Sequence, residues 1–146
     1  MRKIKLLLMM DNRIKMLLLE SYIYLAWARI LKLFPFSKVA PTLGENMIET
    51  STHVESAHRK TLAEISQAIH TMSKYTFWES ECLVKAIAAL KMLEKRKIES
   101  TLYLGTAKDE NGKLIAHAWL RSGPFYVTGA AGRERFTVVS IFARNV

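Results

Sequence analysis

A chain of 146 residues, half of them apolar, is long enough for one core, and three Trp, five Tyr and six Phe argue against disorder. A single Cys excludes an internal disulfide and a thiolate zinc cluster, so a reducing cytoplasm is the expected setting. The net charge of +9 is uneven, with eight Lys and Arg against Asp11 and Glu20 in residues 1–38, which suits solvated helix faces, an anionic membrane, an acidic partner or nucleic acid.

Arg2 and Lys3 followed by Leu6 to Met10 imitate a secretory signal, but the apolar run stops at Asp11 and no small-residue cleavage site follows. The next run, Met16 to Ala28, is interrupted by Glu20 and falls short of the roughly 20 residues that span a bilayer. A soluble protein with an amphipathic first helix is expected. That helix covers residues 12–34, with Ile14, Leu17, Leu18, Tyr22, Leu25 and Ala28 as its stripe. Leu19, Ile23 and Trp27 widen the stripe, and Pro35 ends it.

Residues 36–50 read as a connector. Thr52 and Glu55 form a capping box for a second helix, whose buried side is marked by Val54, Ala57, Thr61, Ile65, Ala68, Ile69 and Met72. Lys74 to Phe77 is a break. A third helix is expected from about Glu79 to Arg96, capped by Ser80, with Leu83, Ile87, Leu90 and Leu93 as its packing face and Ala86 and Ala89 beside them. Strands are expected over 101–107, 114–121, 125–128 and 136–142. Asp109 to Gly112 makes the first turn, Ser122 to Pro124 the second, and Gly129 to Gly132 a flexible link. Helices followed by an antiparallel meander give an α+β class, with N-terminal helices packed on a C-terminal antiparallel sheet in one domain, 1–146. Residues 1–75 form its helical part, and residues 76–146 hold the third helix and the strands.

Two residues carry chemistry. Cys82 falls in the first turn of the third helix, where the positive end of a helix dipole favours a thiolate, the form that attacks carbonyls. The alternative is a small buried hydrophobe. On the second strand, Leu114, Ala116, Ala118 and Leu120 form one apolar face, while Ile115, His117, Trp119 and Arg121 share the other. His117 is thus off the cleanly apolar side, although a hydrogen-bonded core histidine fits the same pattern. A helix packed on the sheet can bring Cys82 to His117, whose imidazole would take the thiol proton and return it to a leaving amine.

The segment Phe77 to Ala86 around Cys82 resembles the nucleophile segment of the transglutaminase-like peptidases of lasso-peptide biosynthesis. Ile98 to Gly105 resembles that family's next strand, Ala116 to Trp119 its histidine strand, and Arg133 to Thr137 its closing segment. The four occur in the family's order over residues 77–137; the N-terminal helices match only in character. The resemblance implies a papain-like, transglutaminase-like core and a Cys-His-Asp cysteine peptidase. Such a peptidase removes the leader from a ribosomally made precursor before a separate ATP-dependent cyclase closes the macrolactam. It also implies a small leader-recognition protein; no compact β-rich module precedes the helices, so the free-standing form is expected.

One departure stands out. The family's Asp follows the histidine, yet the only Asp residues here are Asp11 and Asp109. The equivalent place falls near Thr128 and Gly129. Thr128, a backbone carbonyl or Glu134, the one acid after His117, is left to orient the imidazole, unless Cys82 and His117 act as a dyad. Trp78 and Trp119 are candidates to line the cleft or to pack in the core. His53, His58 and His70 lack metal-pair spacing and read as surface residues; no cofactor fingerprint is present. Two other readings are acyl transfer by the same Cys-His pair and a basic, non-enzymatic binding module. Nucleic acid is not expected, since the strands carry no basic stripe with interleaved aromatics. Peripheral membrane contact through the N-terminal helix is kept as an expectation.

Overall fold

The computed structural model describes residues 9, 11–53, 55–76 and 80–145. Helix α1 (Asn12–Leu31) starts where the Asp11 carboxylate accepts the backbone N–H of Arg13 at 3.2 Å. It ends three residues before the expected boundary, and Pro35 then caps a one-turn helix, α2 (Phe36–Val39). A 3-10 turn (Ala40–Thr42) and a two-residue strand, β1 (Glu45–Asn46), follow. Helix α3 (Ser56–Ser73) leads to α4 (Cys82–Lys95), and then come β2 (Ser100–Lys108), β3 (Leu114–Ser122), β4 (Phe125–Thr128) and β5 (Thr137–Arg144).

Both expected helix caps are replaced. Helix α3 begins at Ser56, and Glu55 makes no side-chain cap bond. The cause is long-range. The Thr50 N–H donates to Thr101 Oγ1 at 2.9 Å, and the Ser51 carbonyl accepts from Arg121 at 3.1 Å. The chain is fastened to the sheet until Ser51, so helix cannot begin at Thr52. Likewise Ser80 does not cap α4. Its hydroxyl lies 2.9 Å from that of Thr76, and Glu81 holds the N-cap position without a side-chain bond.

Helix α4 is the centre of the molecule. Val84, Ala86, Ile87, Ala88, Ala89, Leu90, Met92 and Leu93 are all buried, which covers more of its circumference than one packing stripe. The alanines let α1, α3 and the sheet approach closely. Against them pack Leu25 and Ala28 of α1, Leu62, Ile65 and Ile69 of α3, and Leu102, Ala118, Leu120, Val127 and Phe142 of the sheet. Burial at this scale, about 25 cal/mol per Å² of apolar surface, is what holds the layers together.

The sheet is antiparallel in the order β1-β5-β2-β3-β4. Strands β2, β3 and β4 form the expected meander. Strand β5 does not continue it; it returns to the far side of β2 and separates β2 from β1. The β2–β3 loop is built by Asp109, whose carboxylate accepts the N–H groups of Asn111 and Lys113, both at 2.9 Å. The apolar face of β3 is buried only at Ala118 and Leu120, because Leu114 and Ala116 run past the helices into solvent.

The opposite sheet face is a second packed layer. Thr101, Tyr103 and Gly105 of β2 stand beside Arg121, Trp119 and His117 of β3. The rings of Tyr103 and Trp119 stack with centroids 5.6 Å apart. Burial, then the hydrogen bond that its hydroxyl donates to Glu49, pushes the Tyr103 phenol up from its usual range. Arg121 is 5% exposed and spends its guanidinium on Tyr103 Oη, Thr101 Oγ1 and the carbonyls of Thr50, Ser51 and Gly123.

Helix α1 is tied to the end of α4 by a bidentate pair, Arg96 to Glu20 at 2.6 and 2.7 Å. The Arg96 hydrogen bonds hold the Glu20 carboxyl below the ordinary range, against the opposing effect of its own burial. A depressed carboxylate stabilises the fold above its unfolded pKa, and that contribution is lost as the pH falls through the folded value. Glu20→Gln is therefore expected to cost about 1–2 kcal/mol near neutrality. The gap between variant and parent should close on acidification below the ordinary carboxylate range. Denaturant melts across pH check this; a gap that stays constant into acid would be the wrong outcome.

Candidate active site

Cys82 is the first residue of α4, half-buried, and packs against the rim of the core. The first-turn N–H groups of a helix have no intrahelical partner, and Glu81 supplies no cap. The backbone beneath the thiol therefore offers donors toward a developing negative charge.

His117 is half-buried on β3, opposite Gly105. Its Nε2 lies 2.8 Å from the carbonyl oxygen of Gly129. A carbonyl can only accept, so Nε2 carries the proton and Nδ1 is left as the basic nitrogen. Two tilted rings flank the imidazole, Trp119 at 5.6 Å and Phe136 at 5.0 Å. Phe136 reaches it across Gly105, where a β-carbon would lie 2.9 Å from the Phe136 Cβ.

Gly129 has φ +70°, and a side chain there would meet the Ala118 carbonyl oxygen at 2.4 Å and the Trp119 Cβ at 2.8 Å. Only glycine lets the chain leave β4 this close to β3, and that approach sets the carbonyl on the imidazole.

The expected site residues are therefore placed as follows. Trp119 is buried, stacked between Tyr103 and His117. The Thr128 hydroxyl is buried and has no partner among the described residues; the residue lines a cavity of about 280 Å³ with Lys85, His70, Gly129 and Ala130. Glu134 is exposed on a 3-10 turn, Arg133–Arg135. Neither Thr128 nor Glu134 is hydrogen-bonded to His117. Trp78 lies outside the described residues.

Hydrogen bonds among the described residues include none between Cys82 and His117. Side-chain alternation points His117 away from Ala118 and Leu120, which pack on α4. The short turn 96–99 sends β2 back along α4, which brings the Gly105–His117 level toward the Cys82 end. The cavity beside Gly129 also reaches α4 at Lys85, one turn beyond Cys82.

His53 and His70 are exposed, while His58 is half-buried. No group of His, Cys, Asp or Glu among the described residues is arranged to hold a metal ion. None of the described helices is long and apolar enough to cross a membrane. One contributor was narrowed and another escaped. A backbone carbonyl near Thr128 and Gly129 was one of the alternatives for the orienter, and the Gly129 carbonyl is the one that meets His117. Arg121 was visible only as the residue two beyond Trp119 on the His117 face.

Residues 23–141, most of the chain, match the transglutaminase-like superfamily. No curated protein and no solved structure matches. The matched span takes in Cys82, His117, Gly129 and every strand that frames them except β5's last residues, and the chain belongs to the transglutaminase-like superfamily.

Proposed function

We propose that this protein is a cysteine peptidase that removes the leader from a ribosomally made lasso-peptide precursor, ahead of the ATP-dependent cyclase that closes the macrolactam. Membership of the superfamily points to cysteine peptidase or acyltransferase chemistry. The observation that supports a catalytic role for His117 is its Nε2 tied to the Gly129 carbonyl, which leaves Nδ1 available as a base.

In this reading His117 starts on the sheet face turned away from α4, so substrate binding has to carry Cys82 and His117 into contact. His117 Nδ1 takes the Cys82 thiol proton, and the thiolate adds to the scissile carbonyl. First-turn N–H groups of α4 hold the oxyanion. Collapse forms a thioester as the imidazolium gives its proton to the departing amine. Water, deprotonated by His117, then releases the leader's carboxylate and restores the thiol. The Gly129 carbonyl takes the orienting place of the family's Asp but brings no full charge to steady the imidazolium, so a modest turnover is expected.

A separate recognition protein would hold the leader and raise the local concentration of the scissile bond. The test is a leader–core precursor incubated with the full chain, with and without that protein, and read by mass spectrometry. Two fragments, formed faster with the recognition protein, support the proposal. An uncleaved precursor overturns it, and a cross-linked amide product assigns acyl transfer instead.

Gly129→Ala is expected to lower turnover about 100-fold by moving the carbonyl off Nε2. Backbone strain should also reduce stability by about 1–3 kcal/mol. Unchanged kinetics and melting would show that Gly129 positions nothing.

A further inference from the structure

Helix α1 has a second apolar face that the core does not use. Leu25 and Ala28 are buried, while Met16, Leu19, Ile23, Trp27 and Ile30 are between 36% and 65% exposed. Met16, Leu19, Ile23, Trp27 and Ile30 follow the three-four spacing of one helix face. From Met16 to Ile30 the stripe is about 21 Å long at 1.5 Å per residue.

Cations outnumber carboxylates around it. The Lys91 ammonium sits 5.5 Å from the Trp27 ring, and Lys95, with a side chain 61% exposed, borders the groove of Met16, Leu19, Ile23 and Trp27. The two nearby carboxylates are ion-paired, Glu20 with Arg96 and, at 3.9 Å, with Lys95, and Glu94 with Arg144 and Lys91. The preceding sequence repeats the composition, with Arg2, Lys3 and Lys5 beside Leu6 to Met10.

We infer that this face of α1 docks on an anionic lipid bilayer, lying in the plane of the interface. The charge selects the occupant: Lys91, Lys95, Arg96 and Arg144 against Glu20 and Glu94 leave a positive excess beside the stripe, which complements phosphate headgroups. The stripe is one helix wide and continuous, and it includes Trp27, whose amphipathic ring suits the headgroup level. None of this depends on the peptidase reading.

The full chain should co-sediment with vesicles of phosphatidylcholine mixed with phosphatidylglycerol, and at least about tenfold less with phosphatidylcholine alone. Added salt should release it. Leu19→Ser with Ile23→Ser should weaken binding at least about tenfold, since two exposed apolar anchors are lost. Circular dichroism melts should be unchanged, because neither side chain is in the core. Lys95→Glu should weaken binding without touching the stripe. Failure to sediment, equal binding to neutral vesicles, or binding unaffected by the double substitution would overturn the inference. So would a dimer in ultracentrifugation that the double substitution dissociates, which would make a second copy the occupant.

Discussion

Cys82→Ala is expected to reduce precursor cleavage by at least about 10⁴-fold, to background. The thiol is the only one in the chain, so no other sulfur can replace it. The side chain is half-buried at the rim of the core, and its loss should cost no more than about 1 kcal/mol. His117→Gln should fall to a similar level, since glutamine cannot accept and return a proton at neutral pH. If the two act as a unit, the double variant should be no slower than either single one. Mass spectrometry of the products and circular dichroism of the variants measure both. Turnover by Cys82→Ala would remove the thiol from the mechanism. A double variant much slower than each single one would separate the two residues.

Arg121→Leu should produce the largest loss of stability, about 3–5 kcal/mol. The guanidinium is almost wholly buried and makes five hydrogen bonds, three of them to carbonyls. Leucine fills part of the volume but leaves the carbonyls of Thr50, Ser51 and Gly123 without those donors. Arg121→Lys should recover only part of the loss, because one ammonium cannot span the fork. Denaturant melts decide, and a cost below about 1 kcal/mol for Arg121→Leu would show that water replaces the guanidinium freely. The same substitution should release residues 50–51 from the sheet face that carries His117.

The strands were the legible part of the fold. Alternation and turn residues are local, and β4 falls at Phe125–Thr128 as read from the sequence. Helix starts were less legible, because Thr52 and Glu55 obey local rules that Thr101 and Arg121 override from about 50 and 70 residues away. The pairing of β5 was invisible for a related reason: a strand's sequence states which face is apolar, not which neighbour it joins. The widened stripe on α1 was visible as Leu19, Ile23 and Trp27, but only the packing showed that these are the residues left over. In the candidate site, Cys82 and His117 stood out by residue type and place. The partner of the imidazole was narrowed to Thr128, a backbone carbonyl near Gly129 or Glu134 but not chosen among them, because a backbone carbonyl belongs to every residue.

Strand β5 emerges from the ribosome after β2, β3 and β4, yet its place is between β1 and β2. Until Thr137 to Arg144 are synthesised, β2 has one bare edge and Glu45 and Asn46 have no strand to pair with. A nascent chain therefore passes through a stage in which the central hairpin exposes a row of unpaired N–H and C=O groups. Chaperone demand and aggregation during expression should concentrate in that interval, and a chain stopped before Thr137 would remain in it.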